Sequence, residues 1–226
     1  MDWGILGGVL NIIIINLVLS GDNAVVIALA SRELPEEYRK KAIFWGATLA
    51  VVLRVFLTFV AAILLKVPLV QMVGGLLLAW IAIKLLYPEK EHCETDQSCS
   101  ADFKKALLTI IWADVIMSLD NVLAVAGASG GNIYLLVFGL ALSIPIVLVG
   151  SSLLSALMRK FPWLVYIGAG ILAWTAGKMV TEDRFVESYL HAVPFGGILI
   201  PLVVTAVVII AGWRIRCARQ PAAGES

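Results

Sequence analysis

Asp22-Asn23 and Asp120-Asn121 recur in two stretches that are otherwise apolar, NLVLSGDNAVVIALAS at 16–31 and DVIMSLDNVLAVAGAS at 114–129. Asn16, Ser20, Asp114 and Ser118 accompany them. Carboxylate, amide and hydroxyl groups are hard oxygen donors, suited to manganese, magnesium or calcium. Sites for zinc, copper or nickel usually include imidazole or thiolate. No His or Cys lies within an apolar stretch near these residues, and the one soft neighbour, Met117, reads as a gap-filler. This chemistry favours manganese only mildly over magnesium and calcium.

The acids are in an expensive place. A charged side chain at the centre of a bilayer costs about 2.5–3.5 kcal/mol on insertion scales, and Asp22, Asp114 and Asp120 all fall in apolar runs. Arg54 is the only basic residue deep within such a run, and the equivalent place in the second copy, near Val147, has none. One arginine does not neutralise three acids, whereas protonation or a divalent cation would. The expected metal ligands are Asp22, Asn23, Asp120, Asn121, Asp114 and Asn16, with Ser20, Ser118 and Arg54 in supporting or gating roles. Arg54 reads either as a lock that pairs with an unloaded site or as a structural tether. Asn11, Thr58, Gln71 and Thr109 fit the role of polar contacts between helices.

The elements that carry these residues follow from hydropathy. With 61% hydrophobic residues, 15% charged and a mean hydropathy of +0.96, the chain lies outside the soluble range. Apolar runs at 5–30, 42–65, 69–87, 104–128, 132–157, 162–181 and 193–213 predict about seven transmembrane helices. None alternates as the strands of a membrane barrel would. The first run opens with Asp2 and has no basic segment before it, so it reads as a retained helix rather than a signal peptide.

Basic residues cluster on one side of the predicted membrane: Arg32, Arg39, Lys40 and Lys41, then Lys84, Lys90, Lys104 and Lys105, then Arg159 and Lys160, then Arg214, Arg216 and Arg219. The positive-inside rule makes that side cytoplasmic, with the N-terminus outside and the C-terminus inside. The net charge of +1 says little about partners, its distribution being what informs, and no nucleic-acid partner is expected. Cys93, Cys99 and Cys217 then face the reducing compartment, and no structural disulfide is expected. The segment EHCETDQSC at 91–99 combines His92 with two cysteines and several acids that could bind a soft metal, but its spacing matches no zinc module and it reads as a solvated loop.

The two Asp-Asn stretches belong to a longer repeat. Aligned without gaps, Ser20 falls on Ser118, Asp22 on Asp120 and Asn23 on Asn121, while Asn16 falls on Asp114. After a shift of a few residues the match resumes, with Lys66 and Pro68 on Lys160 and Pro162, Gly74 on Gly168, and LLAWIAIK, 77–84, on ILAWTAGK, 171–178. Spacings of four and three put Asn16, Ser20 and Asn23 on one helix face, and Asp114, Ser118 and Asn121 on the equivalent face. Each copy holds three helices, so the second enters the membrane from the opposite side. The expected fold is therefore an all-α polytopic membrane protein. A first three-helix repeat at 5–87, a cytoplasmic loop at 88–103 and a second, inverted repeat at 104–181 precede a seventh helix at 193–213 and a cytoplasmic tail at 214–226. Inverted repeats are the architecture of alternating-access carriers, with a site near the midplane between the copies.

LSGDNAVVIALA and SLDNVLAVAG, near the starts of two homologous three-helix units, resemble the TerC family of integral membrane proteins, in particular its short YjbE-type bacterial branch. The resemblance covers about residues 5–213. It implies export of manganese from the cytoplasm across the plasma membrane, and a link to supplying manganese to secreted proteins. Carried over position by position, the family's acidic and amide residues fall on Asp22, Asn23, Asp120 and Asn121. Asp114 fills the upstream acidic position of the second motif, where the first has Asn16.

The leading expectation is a secondary transporter that moves Mn(II) outward, with coupling to protons as an attractive drive. Export of a small zwitterion such as an amino acid and a non-transporting scaffold that assists metallation of secreted enzymes are the alternatives. No GxxxxGK[ST] motif or zinc-protease helix is present, and no enzyme activity is expected. The partners to expect are a divalent metal ion, the lipid bilayer, and either a second copy of the chain or a secretion-associated membrane protein.

Overall fold

The structure, a computed structural model, describes residues 21–64, 69–87, 96–128, 133–190 and 195–219, and all its regular elements among them are α-helices. In chain order they are α1 (Gly21–Ser31), α2 (Glu36–Leu64), α3 (Val70–Leu86), α4 (Asp96–Ala128), α5 (Ile133–Lys160), α6 (Leu164–Glu182), α7 (Arg184–Leu190) and α8 (Gly196–Arg219). Among the described residues, Leu164–Glu182 and Gly196–Ile215 pass as membrane-spanning by length and apolarity together, with mean hydropathy 1.3 and 2.4. Large apolar side chains such as Phe56, Trp80, Trp112, Val149 and Leu202 face outward. Such a surface is what hydrocarbon would cover and water would not.

α2, α4 and α8 reach furthest beyond the apolar runs that predict them. α2 starts ahead of residue 42, in a polar turn where Lys40 pairs with Glu36 at 2.7 Å and Lys41 with Glu37 at 2.8 Å, both with helical spacing. α4 starts at Asp96, so residues 96–103 of the expected loop are helix. Packing explains both extensions: Tyr38 meets Phe103 with ring centroids 6.2 Å apart, beside a buried cluster of Leu34, Ala42 and Ala106. Cys99, expected in a solvated loop, is buried. α8 continues to Arg219, into the expected tail. His92 and Cys93 lie outside the described residues.

The short α7 had no counterpart in the sequence reading. Asp183, 2% exposed, organises this turn: its Oδ1 accepts from the Phe185 N–H at 3.0 Å and its Oδ2 from the Met72 N–H at 3.2 Å. One carboxylate thereby ties the start of α3 to the end of α6.

The core runs between α1, α3, α4, α6 and α8, through Val26, Leu78, Met117, Leu172, Met179 and Val208. α6 packs between α3 and α8. The contact with α3 needs Gly75, because a Cβ there would stand 2.5 Å from the Ala176 carbonyl oxygen; on the other side, a Cβ at Gly177 would collide with the Pro201 backbone. α1 packs on α5 and α2 on α4, so the first helix of each sequence repeat lies against the second helix of the other. α1 and α4 also touch each other. These contacts bring the polar stretches of the two repeats into one neighbourhood.

Candidate functional site

Arg54 extends from α2 into that neighbourhood, and a helical interval of four on α4 presents Asp114 and Ser118 to it on one face. The Arg54 Nη2 group donates to Asp114 Oδ1 at 2.8 Å, and its Nε–H donates to Ser118 Oγ at 3.3 Å. The Ser118 hydroxyl donates in turn to Asp114 Oδ2 at 3.3 Å. The hydroxyl thus accepts from the guanidinium and donates to the carboxylate, closing a ring of three side chains. The charged pair is 4% exposed on each partner, so it forms away from water. Breaking a buried pair of this kind by removing one member is strongly destabilising, whereas removing both often is not.

α1 contributes the adjoining groups. Asp22 Oδ1 accepts from the backbone N–H of Asn23 at 2.9 Å, and the Asp22 carboxylate lies within electrostatic reach of both Arg54 and Asp114. Asn23 is 5% exposed, and its Oδ1 is buried without a hydrogen-bond partner among the described residues. An orphaned buried acceptor is uncommon and calls for an explanation such as an ion or water. Asn23 and Asp114 both line a cavity of about 10 Å³, together with Val26, Ile27, Ala50 and Ile110. That volume is about what a single water-sized occupant needs.

Of the residues singled out from sequence, Asp22, Asn23, Asp114, Ser118 and Arg54 come together here. Asn16 and Ser20 lie outside the described residues, as do the side chains of Asp120 and Asn121, whose backbone continues α4 beyond Ser118. Among the described residues, no group of three or more His, Cys, Asp or Glu side chains is placed to hold a metal. Met117 is buried in the main core and does not line the cavity. Thr109, expected to bridge helices, instead donates back to the Lys105 carbonyl at 2.8 Å. Sequence reasoning passed over Ala50 and Ile110, which form the cavity wall, because nothing marks a small or aliphatic residue on an apolar helix.

A family model described as the integral membrane protein TerC family matches residues 1–220. The chain belongs to the TerC family. Among its relatives is the uncharacterized membrane protein YjbE of Bacillus subtilis (strain 168), 41% identical over 211 residues that make up 93% of this chain and 96% of that one. The uncharacterized membrane protein YkoY of the same organism is 28% identical, over 87% of this chain and 68% of its own length. In Escherichia coli (strain K12) the UPF0053 inner membrane protein YoaE is 24% identical over 213 residues, and the chain spans 41% of it. No solved structure matches. This TerC chain is therefore an integral membrane protein with relatives named as membrane and inner membrane proteins, and its family is consistent with a membrane transporter.

Proposed function

We propose that the chain is a secondary transporter that exports a divalent cation, Mn(II) first among manganese, magnesium and calcium, from the cytoplasm across the plasma membrane. The observation that carries this reading is the Asn23 Oδ1, buried without a hydrogen-bond partner among the described residues, on a side chain that lines a cavity of about 10 Å³ together with Asp114. Oxygen donors without imidazole or thiolate suit a hard cation. Asp22 and Asn23 supply one motif and, by the sequence repeat, Asp120 and Asn121 the other. The reciprocal packing of α1 on α5 and α4 on α2 supports an inverted repeat and alternating access about this site. In this reading the chain is a carrier rather than an enzyme, the metal is its cargo, the N-terminus lies outside and the C-terminus in the cytoplasm. Inward proton movement is the driving force, and transport indifferent to an imposed pH gradient would remove that part.

A second reading has support of its own. Arg54 and Asp22 place charges of both signs together, as the carboxylate and ammonium of an amino acid would require. The size of the cavity favours the ion over this larger cargo.

The test is Mn(II) efflux from proteoliposomes, comparing wild type with Asp22→Asn and Asp120→Asn at equal membrane abundance. Efflux falls to background in both variants if the motifs carry the metal. A wild-type protein that never moves Mn(II) under imposed pH and voltage gradients overturns the reading.

A further inference from the structure

Charges do not balance where the α1–α2 turn and the α5–α6 turn meet at one end of the bundle. Arg39, near the start of α2, and Arg159, at the end of α5, lie within electrostatic reach of each other. A Cβ at Gly168 of α6 would meet Met158, Val25 and Leu29, so α1, α5 and α6 converge at the same end. The three glutamates of 32–41 are already engaged: Arg32 holds Glu33 at 3.0 Å, Lys40 holds Glu36 at 2.7 Å and Lys41 holds Glu37 at 2.8 Å. Glu36 is also within electrostatic reach of Arg39 and Arg159, but its contact is with Lys40. Among the described residues, no carboxylate comes within ion-pair distance of Arg39, Arg159 or Lys160, and the Lys160 ammonium lies over the Phe161 ring at 5.5 Å. Arg39 is 8% exposed, and its guanidinium donates to the Leu34 carbonyl at 3.4 Å. Burial pulls Arg39 below its ordinary value, and the Arg159 guanidinium pulls it further. Arg32, in the same α1–α2 turn, is buried too, with an Nη1 that has no partner among the described residues. Holding like charges together, partly out of water, costs free energy that an anion between them recovers.

The neighbouring rings set the depth of this end in the membrane. Phe44 and Trp45 follow on α2, Phe161 and Trp163 occupy the α5–α6 turn, and all four are exposed. Aromatic side chains gather at the level of lipid headgroups, so the two arginines stand where the phosphates of a bilayer stand. We propose that Arg39 and Arg159 clamp the phosphate of an anionic phospholipid headgroup. The planar guanidinium fork matches phosphate oxygens, and basic pockets between membrane helices are places where such headgroups bind. α2 and α5 come from different repeats of the sequence, so the bound lipid joins the two repeats. The site is independent of what the chain transports.

The experiment titrates the full chain in detergent with phosphatidylglycerol, phosphatidylcholine or inorganic phosphate, and reads thermal unfolding and lipid retention by native mass spectrometry. Phosphatidylglycerol is expected to raise the wild-type midpoint and to bind about tenfold more tightly than phosphatidylcholine, whose choline offsets its phosphate. Arg39→Gln and Arg159→Gln are each expected to weaken phosphatidylglycerol about tenfold, while Lys41→Gln, whose charge Glu37 already offsets, stays within about twofold. Without lipid, Arg159→Gln is expected to unfold at a higher temperature than wild type, because it relieves the repulsion on Arg39. Should Arg39→Gln fail to accumulate, Arg159→Gln and Arg159→Glu decide, since that side chain is exposed. Unchanged affinity in the Arg159 variants would overturn the proposal. An equal loss from Lys41→Gln would mean a diffuse basic surface and overturn it as well. Inorganic phosphate that matches the lipid's thermal shift would make this a site for the free ion and overturn the headgroup assignment.

Discussion

Gly75 gives the sharpest test of how closely the helices are packed. In Gly75→Ala the added Cβ would lie 2.5 Å from the Ala176 carbonyl oxygen, 2.9 Å from Val180 Cγ2 and 3.3 Å from Met179 Cβ. A side-chain methyl can rotate away, but a backbone carbonyl in the middle of α6 moves only with its helix. Ordinary contact at about 3.4 Å therefore requires α3 and α6 to part by roughly 0.9 Å, enough to weaken dispersion along their whole shared face. Inserting a carbon into a packed core costs typically 1–3 kcal/mol, and the rigid obstacle places this one at about 2 kcal/mol. For a chain of this size that lowers the thermal midpoint by roughly 4–8 °C. The assay is thermal unfolding of the purified protein in detergent, with Gly170→Ala as control: its Cβ meets nothing closer than Ile209 Cδ1 at 3.6 Å. Equal stability of the two variants would refute the claim that α3 and α6 are held at backbone contact.

Mn(II) at 100 times its dissociation constant is expected to stabilise the wild type by about 2.7 kcal/mol in the same assay, an effect that chelator reverses and Asp22→Asn abolishes. A thermal shift preserved in Asp22→Asn would remove that carboxylate from the binding site. Ahead of the apolar span 42–65, Lys40 holds the exposed Glu36 carboxyl below its ordinary range. Because this value is depressed on folding, any stabilisation is present above the unfolded value and lost as pH falls through the folded one. Solvent screens the pair, so Glu36→Gln is expected to leave the midpoint at neutral pH unchanged in high salt; a shift that persists there would contradict this.

The helices were legible because runs of apolar residues long enough to cross hydrocarbon leave little choice of secondary structure. Their ends were not, since hydropathy marks where lipid stops rather than where hydrogen bonding stops. At 36–41 the helix is continued by Glu-Lys pairs at intervals of four, and at 96–103 by Phe103 packing on Tyr38. Both signals are visible in the sequence but are weak until the two segments are known to be neighbours. The site shows the same division. Its polar members announced themselves as charges and amides in apolar surroundings, and Arg54 stood out for the same reason. That Arg54 meets Asp114, 60 positions away, depends on α2 lying against α4, which no local pattern encodes.

The small size of the cavity bears on discrimination in a way that ligand chemistry alone does not. Its volume of about 10 Å³ beside Asn23 and Asp114 matches about one water-sized occupant, less than a cation with a full hydration shell. Under the exporter reading, the cargo sheds most of its water on entry and recovers only part of that loss from a few protein oxygens. Magnesium gives up its waters reluctantly, and calcium calls for six to eight oxygens. Under the same reading, the apolar side chains of Ala50, Ile110, Val26 and Ile27 would take part in choosing the ion by limiting how much water accompanies it.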